Sequence, residues 1–255
     1  MSALLSLQNA SVWLGATSAL AAATLQVAAG EVVALAGPNG AGKTTLIRAA
    51  LGIVALHAGR ASLSGDDPRR LSARQRALRA AYLPQKPFSV WPVTVECLVA
   101  LGRFAHGAAP DRLGARDQAT VDLALEACLL TPLRKRRMDA ISGGERVRAH
   151  LARTLAQGAP LLMLDEPTAG LDPAQSLAVG DILHRHAAAG GAVVFSTHDI
   201  ALAARCSNRT VLLKQGRIIS QGAPESALTP DSIEAAFGRK GALHRVGGAI
   251  AAVFV

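Results

Sequence analysis

The sequence predicts an α/β fold: a mixed, mainly parallel sheet with an antiparallel β subdomain, and an all-helical subdomain inserted into that core. Three observations lead there. Short apolar runs, EVVALA at 31–36, LLML at 161–164 and AVVFS at 192–196, have the continuous hydrophobicity of strands buried on both faces. Residues 5–27 instead mix β-formers with small residues, as antiparallel strands do. From about Lys86 to Gly158 no buried strand is found and helical periodicity takes over. A chain of 255 residues then holds one domain with an insertion: residues 1–86 and 159–255 form the core, and 87–158 the helical subdomain.

In chain order, 5–14 and 18–27 read as antiparallel strands, and Ala29-Gly30 turns the chain into the strand at 31–36. A glycine-rich loop precedes a helix from 42 to about 51. A short strand at 60–63, a basic helix at 72–80 and a strand at 81–84 follow. The insertion carries helices at 95–103, 115–130 and 144–157, separated by Pro, Gly and Asp. The core resumes with the strand at 161–164, a helix at 173–189, the strand at 192–196 and a short helix at 199–206. Residues 210–214 and 217–220 form a hairpin around Gln215-Gly216, and 243–255 a second one turning at Gly247-Gly248. There are no internal repeats and no disordered linker.

Half the residues are apolar, but alanine supplies much of that, and no run of eighteen strongly apolar residues suggests a membrane span. The start, MSALLSLQNASVWL, lacks the basic and apolar regions of a secretory signal, so the cytosol is the expected compartment. Cys97, Cys128 and Cys206 lie far apart without metal-site spacing and read as reduced thiols. Lys and Arg number 27 against 18 acids, a net charge of +9. Such an excess suits nucleic acid, an anionic membrane face or an acidic ligand. Aromatics are only 3% of the chain, too few for base stacking, so no nucleic acid partner is expected. The densest basic run, Arg134-Lys135-Arg136-Arg137, reads as a solvated helix end or loop.

Three segments carry chemistry. Gly37-Pro38-Asn39-Gly40-Ala41-Gly42-Lys43-Thr44 fits G-x-x-x-x-G-K-[ST] between a buried strand and a helix. Glycines let the backbone curl so that N–H groups point at phosphate oxygens, and the helix adds its positive end. Lys43 would bridge the β- and γ-phosphates, Thr44 would offer its hydroxyl to Mg²⁺, and Thr45 is placed for the α-phosphate. The strand at 161–164 ends in Asp165 and Glu166, and a parallel strand delivers such residues into the ligand crevice. Asp165 there can hold Mg²⁺ through water and Glu166 can orient and deprotonate an attacking water. Ser142-Gly143-Gly144-Glu145 is a capping box opening a helix, and its two glycines leave N–H groups open to an anion. A second anion-binding helix end in a chain that already has a phosphate loop suggests a site completed by another copy.

With these motifs in this order, the chain resembles the ATP-binding cassette family over essentially its whole length, on a P-loop NTPase core. Ile141-Ser142-Gly143-Gly144-Glu145 is similar to the family's L-S-G-G-Q/E signature. Gln85, Asp172 and His198 resemble its Q-loop glutamine, D-loop aspartate and switch histidine. The resemblance implies an ATPase in which two copies face head to tail and enclose two ATP molecules. Each ATP would lie between one copy's phosphate loop and the other's Ser142, Gly143 and Gly144. Lys43, Mg²⁺ and His198 would stabilise the γ-phosphoryl charge. Gln85 would join Thr44 and Asp165 at the metal and link it to a partner contact. Trp13 is the candidate for stacking on adenine, although it stands about one residue off the family's register and a core or edge-strand role is the alternative. Val147 departs from the family's usual glutamine.

The segment 91–103 resembles importers of iron chelates, haem and cobalamin, with zinc and manganese importers next. The implied partners are integral-membrane permease subunits and a periplasmic or extracellular substrate-binding protein, with this chain peripheral on the cytoplasmic face of the inner membrane. The competing reading is a soluble cassette protein acting on nucleic acid or in cofactor assembly, which the basic charge favours.

Overall fold

A computed structural model describes residues 3–87, 93–246 and 249–254. Trp91 and Pro92 of the segment 91–103, the Gly247-Gly248 turn and Val255 at the end of the second hairpin lie outside the described residues.

The chain runs β1 (Leu5–Leu14), β2 (Thr17–Val27), β3 (Val32–Ala36), α1 (Lys43–Ala50), β4 (Ala58–Leu63), α2 (Ala73–Arg79) and β5 (Ala80–Leu83). Next come α3 (Val95–Ala100), α4 (Ala115–Ala127) and α5 (Gly143–Ala156). The second half continues with β6 (Leu161–Leu164), α6 (Pro173–Ala188), β7 (Ala192–Thr197), α7 (Ile200–Cys206), β8 (Arg209–Lys214) and β9 (Arg217–Gly222). Short helices α8 (Pro224–Ala227) and α9 (Pro230–Phe237) lead to the hairpin β10 (Gly241–Val246) and β11 (Ala249–Phe254). No helix among the described residues is long and apolar enough to cross a membrane.

The main sheet has the order β5-β6-β7-β3-β8-β9. Every neighbouring pair is parallel except β8–β9. A separate antiparallel sheet, β2-β1-β4, lies over one face. Strand alternation divides the core accordingly. Val33, Leu35, Leu161, Met163 and Val194 pack with α1 and the antiparallel sheet. Val32, Ala34, Leu162, Leu164 and Phe195 pack with α3, α4, α5, α6 and α7. Each fully buried Leu or Phe here contributes about 1.5–3 kcal/mol.

Among residues 93–160, no strand forms, and β-bridges are limited to the isolated pairs Thr94–Arg137 and Ala109–Arg112. Polar ties hold this stretch together. Thr94 caps α3 by accepting from the Cys97 N–H at 3.2 Å. Arg134 pairs with both Glu96 and Asp122. The nearly buried Arg103 binds Asp117 at 2.8 Å and the Ala156 carbonyl at 2.9 Å. Arg137 pairs with Asp139, so half of the 134–137 run is neutralised locally instead of standing as free charge.

The sequence did not suggest α8 and α9. Both begin on proline at the first helical position, and Thr229 caps α9 by accepting from the Ser232 N–H. Both are short, four and eight residues, and are marked by their start signals instead of by length. The second hairpin also starts two residues earlier than expected, at Gly241.

Candidate functional site

Strand β3 is wholly buried between β7 and β8, so the loop after Ala36 emerges at the carboxyl edge of the sheet, where such folds bind ligands. Gly37 has φ +148°, and a Cβ there would stand 2.3 Å from the Leu213 carbonyl oxygen, so only glycine lets the loop pass β8. Gly42, in the left-handed region, precedes α1 with no side-chain cap. The first N–H groups of α1 are therefore left to an anion held in the loop. The Lys43 ammonium folds back inside, donating to the carbonyls of Gly37 at 2.7 Å and Pro38 at 2.9 Å. Burial holds its pKa below the usual lysine value, while the nearby Glu166 and Asp165 charges pull it back up.

Asp165 follows β6 and is 1% exposed. Its N–H donates to the Leu83 carbonyl on β5 at 2.8 Å. Its Oδ1 accepts from Thr44 Oγ1 at 3.1 Å and from Ser196 Oγ at 2.6 Å. Its Oδ2 is buried and has no hydrogen-bond partner. A buried carboxylate oxygen without a donor is costly, and a hard divalent cation would satisfy it. The Thr44 hydroxyl beside it is a second oxygen ligand, so the residues fit Mg²⁺.

Glu166 adopts φ +51°, a left-handed conformation uncommon outside glycine. Its N–H donates to Ser196 Oγ at 2.9 Å. Its Oε1 stands 3.6 Å from Nδ1 of His198, too far for a hydrogen bond but close enough to share one ligand. His198, just past β7, is exposed.

A cleft of about 600 Å³ collects these groups. Its walls are the loop and helix start from Asn39 to Thr45, then Gln85, Glu166, His198, Gln215 and Gly216, and Leu14, Thr17 and Ser18 from the antiparallel sheet. Gly37 and Pro38 lie behind the wall, gripping Lys43. Trp13 is 47% exposed on β1 opposite Ser18, and its backbone N–H donates to Nδ1 of His57. It is not a core residue, and its neighbour Leu14, not Trp13, lines the cleft.

Ser142, Gly143, Gly144 and Asp172 stand outside the cleft. Ser142 caps α5, accepting from the Glu145 N–H at 3.3 Å while Glu145 accepts from the Ser142 N–H at 2.7 Å. Asp172 caps α6, accepting from the Gln175 N–H at 2.8 Å. These two starts adjoin, since a Cβ on Gly144 would lie 2.8 Å from Gln175 Oε1. The chain thus gathers the loop, Gln85, Asp165, Glu166 and His198 in one place and presents the signature elsewhere. Sequence reasoning missed Ser196. Its signal was a hydroxyl inside an otherwise apolar strand, directly before Thr197 and His198.

The family model described as "ABC transporter" matches residues 20–169. The chain is 40% identical over 240 residues to a hemin import ATP-binding protein of Pseudomonas fluorescens, covering 92% of each chain. It is 41% identical over 210 residues to a cobalamin import ATP-binding protein of Halobacterium salinarum, covering 82% of this chain and 52% of that one. It thus spans only about half the length of that relative. Among solved structures, an inward-facing metal-chelate type ABC transporter superposes with a TM-score of 0.84 at 27% identity, over 100% of this chain and 97% of that chain.

Proposed function

The chain belongs to the ABC transporter family, and on that premise we propose that it is the ATP-binding and ATP-hydrolysing subunit of an importer of an iron chelate, haem or cobalamin. The observation that carries the hydrolytic reading is the convergence of the phosphate loop and Glu166 on one cleft, with the buried Asp165 bonded to Thr44 of its wall. The cargo class rests on the relatives named for hemin and cobalamin import. The same premise supports a second copy of this chain, integral-membrane permease subunits and an external substrate-binding protein as partners, at the cytoplasmic face of the inner membrane. We read residues 87–158 as the unit that receives the permease, with contact at Gln85 and 93–103, where Leu101 and the adjoining Phe104 are exposed.

The chemistry follows from the placement of each group. Loop N–H groups and the Lys43 ammonium hold the β- and γ-phosphates, and Lys43 leaves its own carbonyl partners to do so. Thr44 and Asp165 would hold Mg²⁺, which would supply positive charge to offset the charge of the phosphates. Glu166 takes a proton from water as the water oxygen bonds to the γ-phosphorus and the bond to the β,γ-bridging oxygen breaks, giving ADP and phosphate. His198, beside Glu166, donates to a γ-phosphate oxygen. Gly143 and Gly144 of the second copy close the site with the open N–H groups of their helix, and Ser142 beside them offers its hydroxyl proton.

Glu166→Gln tests this. It keeps shape and hydrogen bonding but removes the base, so turnover is expected to fall about 10²–10⁴-fold. ATP affinity survives, and the variant accumulates as an ATP-bound dimer in size-exclusion chromatography with Mg-ATP. Turnover near the wild-type rate would remove Glu166 from this role.

A further inference from the structure

We propose that Ser196 is a positioning residue for this hydrolysis, fixing the carboxylate plane of Asp165 through Oδ1, so that Oδ2 faces the metal, and the backbone of Glu166, with a single hydroxyl. The inference rests on the ATPase reading above and extends it to a residue outside the motifs.

Register puts Ser196 in place. Strands β6 and β7 are parallel with Leu164 opposite Phe195, so the next residues, Asp165 and Ser196, face each other across the strand gap. Ser196 is 0% exposed, so its hydroxyl has no water to turn to. Both of its bonds have a fixed sense. An ionised carboxylate only accepts, so the hydroxyl proton goes to Asp165 Oδ1 at 2.6 Å. A backbone N–H only donates, so a lone pair on the hydroxyl oxygen receives Glu166 N at 2.9 Å. The two constraints set the hydroxyl's orientation.

Two consequences follow for the reacting groups. Oδ1 of Asp165 receives two donors, Ser196 and Thr44, which fixes the carboxylate plane and leaves Oδ2 as the only oxygen without a partner. At the same time Glu166 sits at φ +51°, which costs a glutamate energy relative to ordinary strand or helix backbone. The bond from its N–H to Ser196 offsets part of that cost and aims the side chain along the cleft toward His198. Partners of this outer kind orient ligands they never replace.

The experiment uses Ser196→Ala in the full chain, a smaller residue that the strand accommodates without overpacking. Four quantities are measured beside the wild type: ATP turnover, ADP affinity in EDTA, ADP affinity with Mn²⁺, and the electron paramagnetic resonance spectrum of the bound Mn²⁺. Turnover is expected to fall about 10–100-fold and the Mn²⁺ enhancement of ADP affinity to shrink about tenfold, while affinity in EDTA stays within about twofold of wild type. The Mn²⁺ spectrum is expected to broaden as the carboxylate loses its fixed plane. Wild-type turnover, or an undiminished Mn²⁺ enhancement, overturns the proposal. So does a loss of affinity in EDTA that matches the loss with Mn²⁺, because general loosening of the cleft would then suffice. A wild-type protein that binds ADP but hydrolyses no ATP would sink the parent ATPase reading instead.

Discussion

Helices α1 and α5 both begin among glycines, and both aim a positive N-terminal end outward, but they are finished in opposite ways. The start of α1 has no side-chain cap. Its loop bends around a pocket, grips Lys43 with its own carbonyls, and is fastened to the β8–β9 turn by the bond from Gly216 N–H to the Ala41 carbonyl at 2.9 Å. The start of α5 is self-sufficient. Ser142 and Glu145 satisfy each other's N–H groups, and a Cβ on Gly143 would touch nothing within 4 Å. A helix end that relies on its ligand for a cap must build the ligand's cavity from its own chain. A helix end that caps itself can wait, fully formed, for a ligand brought by another molecule. The first describes a binding site and the second half of one.

Substitutions at the two helix starts test that division most strongly. Lys43→Ala is expected to abolish nucleotide binding by the single chain, as measured by titration with fluorescent ATP. Ser142→Arg is expected to leave that binding intact while eliminating both the ATP-dependent dimer and hydrolysis. Normal hydrolysis by Ser142→Arg would end the shared-site picture.

A smaller effect separates the bodies of the two helices. The inner face of α1 is plain Leu46 and Ile47, whereas α5 buries His150, whose Nδ1 has no hydrogen-bond partner. Burial, and then the neighbouring Arg153 charge, lower the imidazole pKa from 6.5 to about 4. The unfolded chain takes up this proton near pH 6.5 and the folded chain only near 4. The contribution is therefore complete above pH 6.5 and is lost as pH falls toward 4, up to about 3 kcal/mol. Urea unfolding at pH 7.5 and 4.5 is expected to show His150→Leu losing less stability on acidification than wild type. Equal losses would refute the assignment to His150.

The smallest effect concerns the cap itself. Ser142→Ala is expected to cost about 1 kcal/mol of stability, because the Glu145 N–H loses its acceptor, while nucleotide binding by the single chain is unchanged. A larger loss in urea unfolding would mean that α5 depends on more than its own cap.

Legibility followed locality. The loop from Gly37 to Thr44, the acid pair and the Ser142 capping box are contiguous, and their physics can be read within a few residues. Buried strands such as β3 and β7 announced themselves by unbroken apolar runs. Contacts between distant segments were not readable. Ser196 acquires its role only because β7 lies beside β6 in a particular register. Trp13 was ambiguous for a related reason. Strand β1 shifts register against β2 between Leu7 and Ala10, Ala10 and Val12, and Val12 and Trp13, and each shift breaks the alternation that assigns a residue to one face. The ion pairs of Arg134 with Glu96 and Asp122 likewise turn part of an apparent basic patch into internal bracing.

The central position of β3 has a consequence for synthesis. It is hydrogen-bonded on one side to β7 and on the other to β8, both made from the far end of the chain. The loop after it is completed by contact with Leu213 and Gly216. At ~5–20 residues per second a ribosome needs roughly 10–40 s to travel from Ala36 to Lys214. Throughout that interval the phosphate loop exists as sequence but not as a cradle. A nascent chain arrested before β8 emerges has no means of holding ATP, so nucleotide enters only after most of the chain has been translated, as a late ligand of a nearly finished fold.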